Sequence, residues 1–598
     1  MSQCPEARRA GQLMTRVAKS VLPWFGLAAT LVLFLVCLAR MHPTNWFGIY
    51  RDDGIYFSSA KALAEGRGYI LPSFPGNPPQ TKYPVLYPWL LSWIWKWDPS
   101  FPANLGPSVC LTALFSCGFL VVAFEMLRKF KGVGDWPAVA MVAVCASLPV
   151  FLMVSGSVMS DSLLMLLALG AALLADKAMR ASGRLPLAAL VGVLAGLAVI
   201  TRSVGVAVVG GIVMAGLFRR ALRQAAGVCL GAAPFVLAAL WAGRMSLAGS
   251  AEGLPYHAAN LPLGWQQTLA YYTSYPKVWK FCIPNGYVFL SMLRGNLGAF
   301  LETPAWYWLH PALKIGTGFA ATALGAPLML IALAGILRQA RGEEWKPLHF
   351  VFALYSGVLL LWNYPVMDRF LLLFVPLFCL GLWVEGKHLA GLLGGALRAG
   401  GTGERILAGV ISAGLAALAG IAVWNTLQFY RPHPSAEPQA ARLRQDKAQA
   451  YDWIRKNTLR EDRLVACEDG RVYLYTGRQT VIPIAFSTEF SYTHDWRALE
   501  RDMARMADTA AVVQAHYWLT SFDDFIIDEE DAVPSMRARV AQLMSGLPEV
   551  YRSPDGWVRL YDISCLLQPQ RAPCAPGLPA LPAATSGTEP DAGRGLAR

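Results

Sequence analysis

The sequence is short of charge. Only 15% of its 598 residues are Asp, Glu, Lys or Arg, and 55% are hydrophobic, whereas a soluble chain carries roughly a quarter charged residues. A surface so poor in charge meets lipid over much of its area, and a mean hydropathy of +0.39 agrees. Patterned cysteine is missing too. The 11 cysteines follow no regular spacing, with no CxxC pair and no Cys/His cluster, which excludes the common zinc and haem motifs. Six of them (Cys37, Cys110, Cys117, Cys145, Cys229, Cys379) lie in apolar runs, where cysteine is a small buried hydrophobe. No Walker A loop, GxSxG elbow or HExxH pair stands in a suitable context. The formal charge of +13 is spread as short Lys/Arg clusters between apolar runs, so no nucleic-acid partner is expected.

What is there in quantity is long apolar runs. A helix crosses a bilayer with about 20 apolar residues, and runs of this kind occur at 21–39, 107–127, 136–154, 158–175, 185–200, 203–218, 225–241, 315–337, 348–361, 370–384 and 406–424. Four of these, 185–200, 203–218, 348–361 and 370–384, are short, so the span count lies between nine and twelve. The connections test the assignment. Basic clusters fall at Arg8 to Lys19, Arg128 to Lys131, Lys177 to Arg184, Arg219 to Arg223, Arg338 to Lys346 and Lys387 to Arg405, which is every second connection. Under the positive-inside rule this places residues 1–20 in the cytoplasm and the C-terminal region outside. A signal peptide is the other reading of the first run, but Leu38-Ala39-Arg40 is a poor cleavage site. The expectation is a multi-pass protein of the cell inner membrane, surrounded by membrane lipids.

Three extracytoplasmic segments are long: 40–106, 242–314 and 425 onward. The first two are rich in aromatics, as in Tyr83 to Trp97, Tyr271 to Trp279 and Trp306-Tyr307-Trp308, which suits a membrane interface. Within the first, Ile55, Ser59 and Leu63, flanked by Tyr56, Ala60 and Ala64, share one stripe and predict a short amphipathic surface helix over 54–66. Residues 430–565 alternate helical stretches (440–456, 496–506, 535–545) with apolar runs (463–467, 479–484, 510–513, 557–563), the pattern of a small α/β domain. Residues 566–598, rich in Pro, Ala and Gly, read as a disordered tail. Cys282, Cys467, Cys565 and Cys574 lie outside in this topology, where a disulfide is feasible but its pairing is unreadable.

Chemistry is concentrated at the outer mouths of the spans. The first outer loop carries the carboxylates Asp52 and Asp53 just past a span, where charge is costly unless solvated or used. General base, metal ligand and cap of the following helix are all open roles. Asp161 starts an apolar helix on the same side, and so do the cations Lys82, Arg202 and Arg369. Each alone reads equally well as a cap or a snorkelling side chain. Together they supply acids to handle a hydroxyl and cations to hold a phosphate. His257 and His310 in the 242–314 segment read as structural.

The stretches Tyr50-Arg51-Asp52-Asp53-Gly54-Ile55-Tyr56, Lys82-Tyr83-Pro84-Val85-Leu86-Tyr87-Pro88, Met159-Ser160-Asp161-Ser162, Thr201-Arg202-Ser203 and Asp368-Arg369-Phe370, taken in this order and sidedness, resemble the GT-C glycosyltransferases. The branch they are most similar to holds protein O-mannosyltransferases, aminoarabinose transferases and bacterial family 39-like enzymes. The resemblance covers roughly residues 20–425, and the stretches 451–455 and 474–478 are similar to the outer domain of bacterial members. It implies a GT-C-like bundle of about eleven transmembrane helices (21–424) with a small C-terminal α/β extracytoplasmic domain. It also implies a polyprenyl-phosphate-linked sugar as donor and inverting transfer to an envelope glycan, lipid or protein. By position, Asp52 matches the first acid of the family's pair, its supposed base, Asp53 the second, and Asp161 the second-loop acid. Lys82 matches a donor-phosphate ligand in a stretch where Tyr83 replaces the family's proline, and Arg202 and Arg369 match cations facing the lipid phosphate. Tyr56, Tyr83 and Tyr87 complete the candidate substrate-binding set. The sequence singles out no cofactor, and two acids leave a divalent metal open. The competing readings are a transporter or flippase and a non-catalytic binder of lipid-linked sugar. Charge-poor span centres and the lack of an internal repeat speak against the former.

Overall fold

The computed structural model describes residues 5–180, 185–249, 285–309, 319–399, 436–483, 488–493, 495–524 and 544–567, with single residues between these segments, Tyr271 and Tyr272 among them. The run at 406–424, the tail after 567 and His257 and His310 lie outside the described residues or nearly so. Helices dominate: α1 (Pro5–Arg40), α2 (Asp52–Ala64), α3 (Leu86–Trp97), α4 (Leu105–Leu127), α5 (Asp135–Ser147), α6 (Pro149–Ser155), α7 (Asp161–Arg180), α8 (Leu185–Val199), α9 (Val206–Phe218), α10 (Leu222–Gly249), α11 (Gly286–Trp308), α12 (Phe319–Gly342), α13 (Pro347–Leu360) and α14 (Val375–Ala399). Every apolar run expected to span, apart from 406–424, overlaps these helices, with 136–154 divided between α5 and α6. Among the described residues six helices are long and apolar enough to cross a membrane, and α5 with α6, bent by 69° at the Leu148-Pro149 break, makes a seventh. Segments 185–199, 203–218 and 347–360 are shorter apolar helices, as their run lengths predict, but the fourth short run, 370–384, lies within the 28-residue segment Asp368–Gly395, which is long enough to cross.

Two sets of connections gather at opposite ends of this bundle. At one end Arg219 reaches Asp176 at 2.9 Å and the Trp345 carbonyl at 2.7 Å, Arg180 reaches Glu344 at 2.7 Å, and the Lys346 ammonium reaches the Lys129 carbonyl at 3.3 Å. These are the basic connections. At the other end the loops after α1, α6, α8 and α13 meet, which is the alternation that the charges predict. The apolar interior runs between the two ends through Phe119, Phe124, Phe151, Phe374 and Phe378.

The C-terminal region sits on this second end. Helix α15 (Ala436–Asn457) covers a five-stranded sheet of order β2-β1-β3-β5-β4, formed by β1 (Leu464–Val465), β2 (Thr480–Val481), β3 (Tyr517–Ser521), β4 (Glu549–Arg552) and β5 (Val558–Asp562). Strand β1 runs parallel to β2 and β3, and β5 is antiparallel to β3 and β4. Its core joins Ala450, Tyr451 and Ile454 of α15 to Leu464, Leu519, Val558 and Leu560. Three of the four expected apolar runs hold strands. The fourth, 510–513, is instead the end of a helix, Met506–Val512. Ala510 and Val513, three apart, are both buried there, which is a helical spacing. Strands β3 and β4 escaped the sequence pattern. Cys565 is disulfide-bonded.

The expected surface helix over 54–66 is a correction. Helix α2 begins two residues earlier and is buried from Asp53 to Ala60, packed on α3 and on α16 (Asp469–Thr476) of the C-terminal region. Small residues make that possible. A Cβ on Gly54 would come within 2.8 Å of the Arg471 backbone nitrogen, and one on Gly470 within 2.6 Å of the Gly54 carbonyl carbon. The Thr480 amide donates to the Ser73 carbonyl at 2.8 Å and extends the same contact.

Candidate active site

Helix α2 presents the acid pair from its first turn. Asp52 and Asp53 are its first residues, and Arg51, at φ +56°, holds the N-cap position without a side-chain cap bond. Neither acid is therefore the cap. Negative charge is nevertheless stabilised at a helix N-terminus.

The two acids have different surroundings. Asp52 accepts a hydrogen bond from the Tyr83 hydroxyl at 2.6 Å on one carboxylate oxygen and from Arg369 Nη2 at 3.1 Å on the other. Burial pushes its carboxyl up, but Arg369, then Lys82, Tyr83 and Arg202, outweigh burial and hold it below the usual carboxylate range. Asp53 is fully buried and accepts from the Gly48 amide at 2.7 Å and the Gly54 amide at 2.8 Å. Burial pushes its carboxyl up to about 7. Asp52 belongs to the cluster of charges, and Asp53 ties the loop to the helix.

Helix α7 places Asp161 at its own first residue. There Arg202 Nη1 pairs with it at 2.6 Å. The Ser160 hydroxyl beside it exchanges a hydrogen bond with Tyr56 at 2.9 Å and accepts from Arg202 at 3.4 Å. Arg369 is fixed from behind: the Tyr307 hydroxyl donates to the Asp368 carbonyl at 2.5 Å, and the guanidinium lies over the Tyr50 ring at 4.8 Å. Lys82 is buried, with its ammonium 3.5 Å from the Tyr271 ring centre, a cation–π contact. Burial lowers Lys82 to about 8, against the pull of Asp52 and Asp469.

A cavity with about 440 Å³ of empty space opens beside these groups. Tyr56, Lys82, Tyr83 and Arg202 line it together with Tyr355, Trp362 and Phe370. Polar groups thus meet an apolar wall, as a site for an amphipathic ligand requires. Seven of the nine sequence-predicted site residues come together here: Asp52, Tyr56, Lys82, Tyr83, Asp161, Arg202 and Arg369. Asp53 faces backbone. Tyr87 is fully buried, bonded to Thr112 at 2.7 Å and edge-on to Tyr56, so it supports the wall from behind. Sequence reasoning did not assign Tyr50, Tyr307 or Tyr355 to the site, although Tyr50 stands in the stretch of the acid pair and Tyr307 in the aromatic run 306–308; Tyr355 is a single tyrosine without a motif. It also missed Asp469, which lies in another domain, accepts from Tyr272 at 2.5 Å and is pushed up to about 6 by burial.

Among the described residues no group of three His, Cys, Asp or Glu side chains stands close enough to hold a metal ion. In this arrangement Asp52 is bonded to Tyr83 and Arg369, and Asp53 to two amides.

No family model and no curated sequence matches the chain. Among solved structures, ArnT from Cupriavidus metallidurans bound to undecaprenyl phosphate is similar at 12% identity and a TM-score of 0.46, over 92% of this chain and 100% of that one. The oligosaccharyltransferase AglB from Archaeoglobus fulgidus, in complex with an inhibitory peptide and a dolichol-phosphate, is similar at 13% identity and a TM-score of 0.45, over 89% of this chain and 74% of that one. Both of these proteins are GT-C superfamily glycosyltransferases.

Proposed function

We propose that this chain is a membrane glycosyltransferase of the GT-C kind, moving a sugar from a polyprenyl-phosphate donor to a hydroxyl-bearing envelope acceptor outside the cytoplasm. The observation that carries this reading is the Asp52 carboxylate, kept ionised between Tyr83 and Arg369 at the edge of a cavity lined by Lys82 and Arg202. Ionised carboxylate, hydroxyl and buried cations are the groups that sugar transfer from a phosphate ester needs. The motif order that resembles the family supports it as well. The disulfide at Cys565 agrees with a C-terminal domain in an oxidising compartment, as does the basic charge at the other end of the bundle.

In the proposed reaction the acceptor oxygen attacks the anomeric carbon while the bond from that carbon to the phosphate oxygen breaks. The electron pair leaves with the polyprenyl phosphate. Lys82 and Arg202, with Arg369 behind them, meet the growing negative charge. With the Tyr83 hydroxyl still bound to one of its oxygens, the Asp52 carboxylate orients the acceptor hydroxyl and takes its proton as the new bond forms. Attack opposite the leaving phosphate inverts the anomeric centre. Lipid holds the prenyl chain, and the Trp362–Phe370 wall guides its first units.

The test is transfer by purified protein from a synthetic polyprenyl-phosphate sugar to an envelope extract, followed by mass spectrometry. Asp52→Asn is expected to lower transfer by ~100-fold or more with unchanged thermal unfolding. Near-normal transfer by that variant overturns the assignment.

A further inference from the structure

A second cavity lies between the Asn45–Arg51 segment and the C-terminal domain, and it shares no lining residue with the first. It holds about 780 Å³ of empty space. Its wall is dominated by charge: Arg51, Arg444, Lys447 and Arg471 stand with Glu468, Asp523 and Asp524. Several of these satisfy one another. The Lys447 ammonium bridges Glu468 at 2.8 Å and Asp523 at 2.7 Å, and Arg471 Nη1 reaches Glu468 at 3.1 Å. Asp524 accepts from the Ser521 amide at 2.7 Å.

Two donors are left over. Arg444, half-buried on α15, has no hydrogen bond or ion pair among the described residues. The Nε of Arg471 is buried with no acceptor. Buried N–H groups ordinarily have partners, and guanidinium forks match oxyanions in shape and charge. Arg471 is held in place by design of the backbone. Gly48, at φ +99°, gives it room, because a Cβ there would lie 2.5 Å from the Arg471 Cδ.

We propose that this cavity binds an oxyanion, the phosphate or carboxylate of the acceptor, through Arg444 and Arg471. Naming the ligand as acceptor rests on the glycosyltransferase reading, while the oxyanion site does not. A prenyl chain does not suit these charged walls. A neutral sugar would give Arg444 no charge to meet. The position suits an acceptor, since the lining residue Arg51 directly precedes Asp52 and the Gly48 amide binds Asp53.

The test is calorimetric titration of the full-length protein in detergent with inorganic phosphate, comparing the parent with Arg444→Glu, Arg444→Ala and Arg202→Lys. Loss of one charged hydrogen-bonding partner typically weakens binding ~10-fold or more. The expected result is a binding event weakened to that extent in both Arg444 variants and kept in Arg202→Lys. A titration in which no event is weakened by the Arg444 variants, or no binding to the parent, overturns the proposal. Phosphatidic acid in mixed micelles then separates the sources. Competition at the Arg444-sensitive event supports a lipid-borne phosphate, and lack of competition supports a soluble one. Transfer surviving in Asp52→Asn would remove the glycosyltransferase reading and leave the phosphate titration as it stands.

Discussion

The Tyr83 hydroxyl donates to Asp52 at 2.6 Å across the mouth of the first cavity. Tyr83 lines that cavity, so an acceptor meets the hydroxyl before it meets the carboxylate. This bond also helps hold the Asp52 carboxyl low. Tyr83→Phe is expected to slow transfer by ~10-fold or more, the worth of a hydrogen bond to a charged group. In the proposed reaction Asp52 acts ionised, so activity is expected to fall as pH drops through its pKa. Removing a donor that lowers that pKa moves the acid limb to higher pH, and a kcat profile against pH measures the shift.

Asp53 is expected to govern stability where Asp52 governs rate. Asp53→Ala leaves the Gly48 and Gly54 amides without their acceptor, at about 1–3 kcal/mol for each buried group left unsatisfied. Its carboxyl is raised to about 7 in the fold from roughly 3.9 unfolded. The folded state therefore binds more protons between these values, and stability from this group declines as pH rises across that window. Thermal unfolding against pH should show that slope in the parent and lose it in Asp53→Asn.

Lys82 sits at about 8 because burial disfavours its charge. Affinity for polyprenyl phosphate is accordingly expected to fall as pH rises through 8. Lys82→Arg, charged at every accessible pH, should flatten that limb even if its affinity at neutral pH is lower. Binding of a fluorescent polyprenyl phosphate across the pH range reads both.

The Arg202–Asp161 pair, at 2.6 Å with both side chains largely buried, gives a double-mutant cycle. Arg202→Ala strands a buried carboxylate, a loss of about 3–5 kcal/mol. Removing both partners should recover most of that stability and none of the donor affinity. Unfolding and lipid-phosphate binding on the same three variants separate the two roles.

The spans were legible because hydropathy acts locally and the basic connections mark every second turn. Asp52, Asp161, Arg202 and Arg369 were legible as charges stranded at span mouths, but their partners were not. Nothing local says that Arg202 chooses Asp161, or that Asp53 turns to two amides one residue away from an acid that turns to Tyr83. Helix α2 carried a fair amphipathic stripe and was misplaced on a surface, because its other face is covered by α16, a helix far along the chain. Ala510 to Val513 looked like a strand because four small or β-branched residues have no period that separates strand from helix. Asp469 and the second cavity belong to a contact between distant segments and left no pattern in either.

The glycine contact between α2 and α16 has a bearing on how the protein matures. Gln479 reaches the Phe74 carbonyl from 405 residues away, beside the place where Gly54 and Gly470 touch. During synthesis the first loop therefore emerges and waits through the whole helical bundle before its covering surface exists. Until then the first turn of α2 is unsupported, Arg471 is absent from its place over Gly48, and the acid pair is not held in its final arrangement. On the proposed function, a chain truncated before the C-terminal sheet is expected to insert its helices and remain inert.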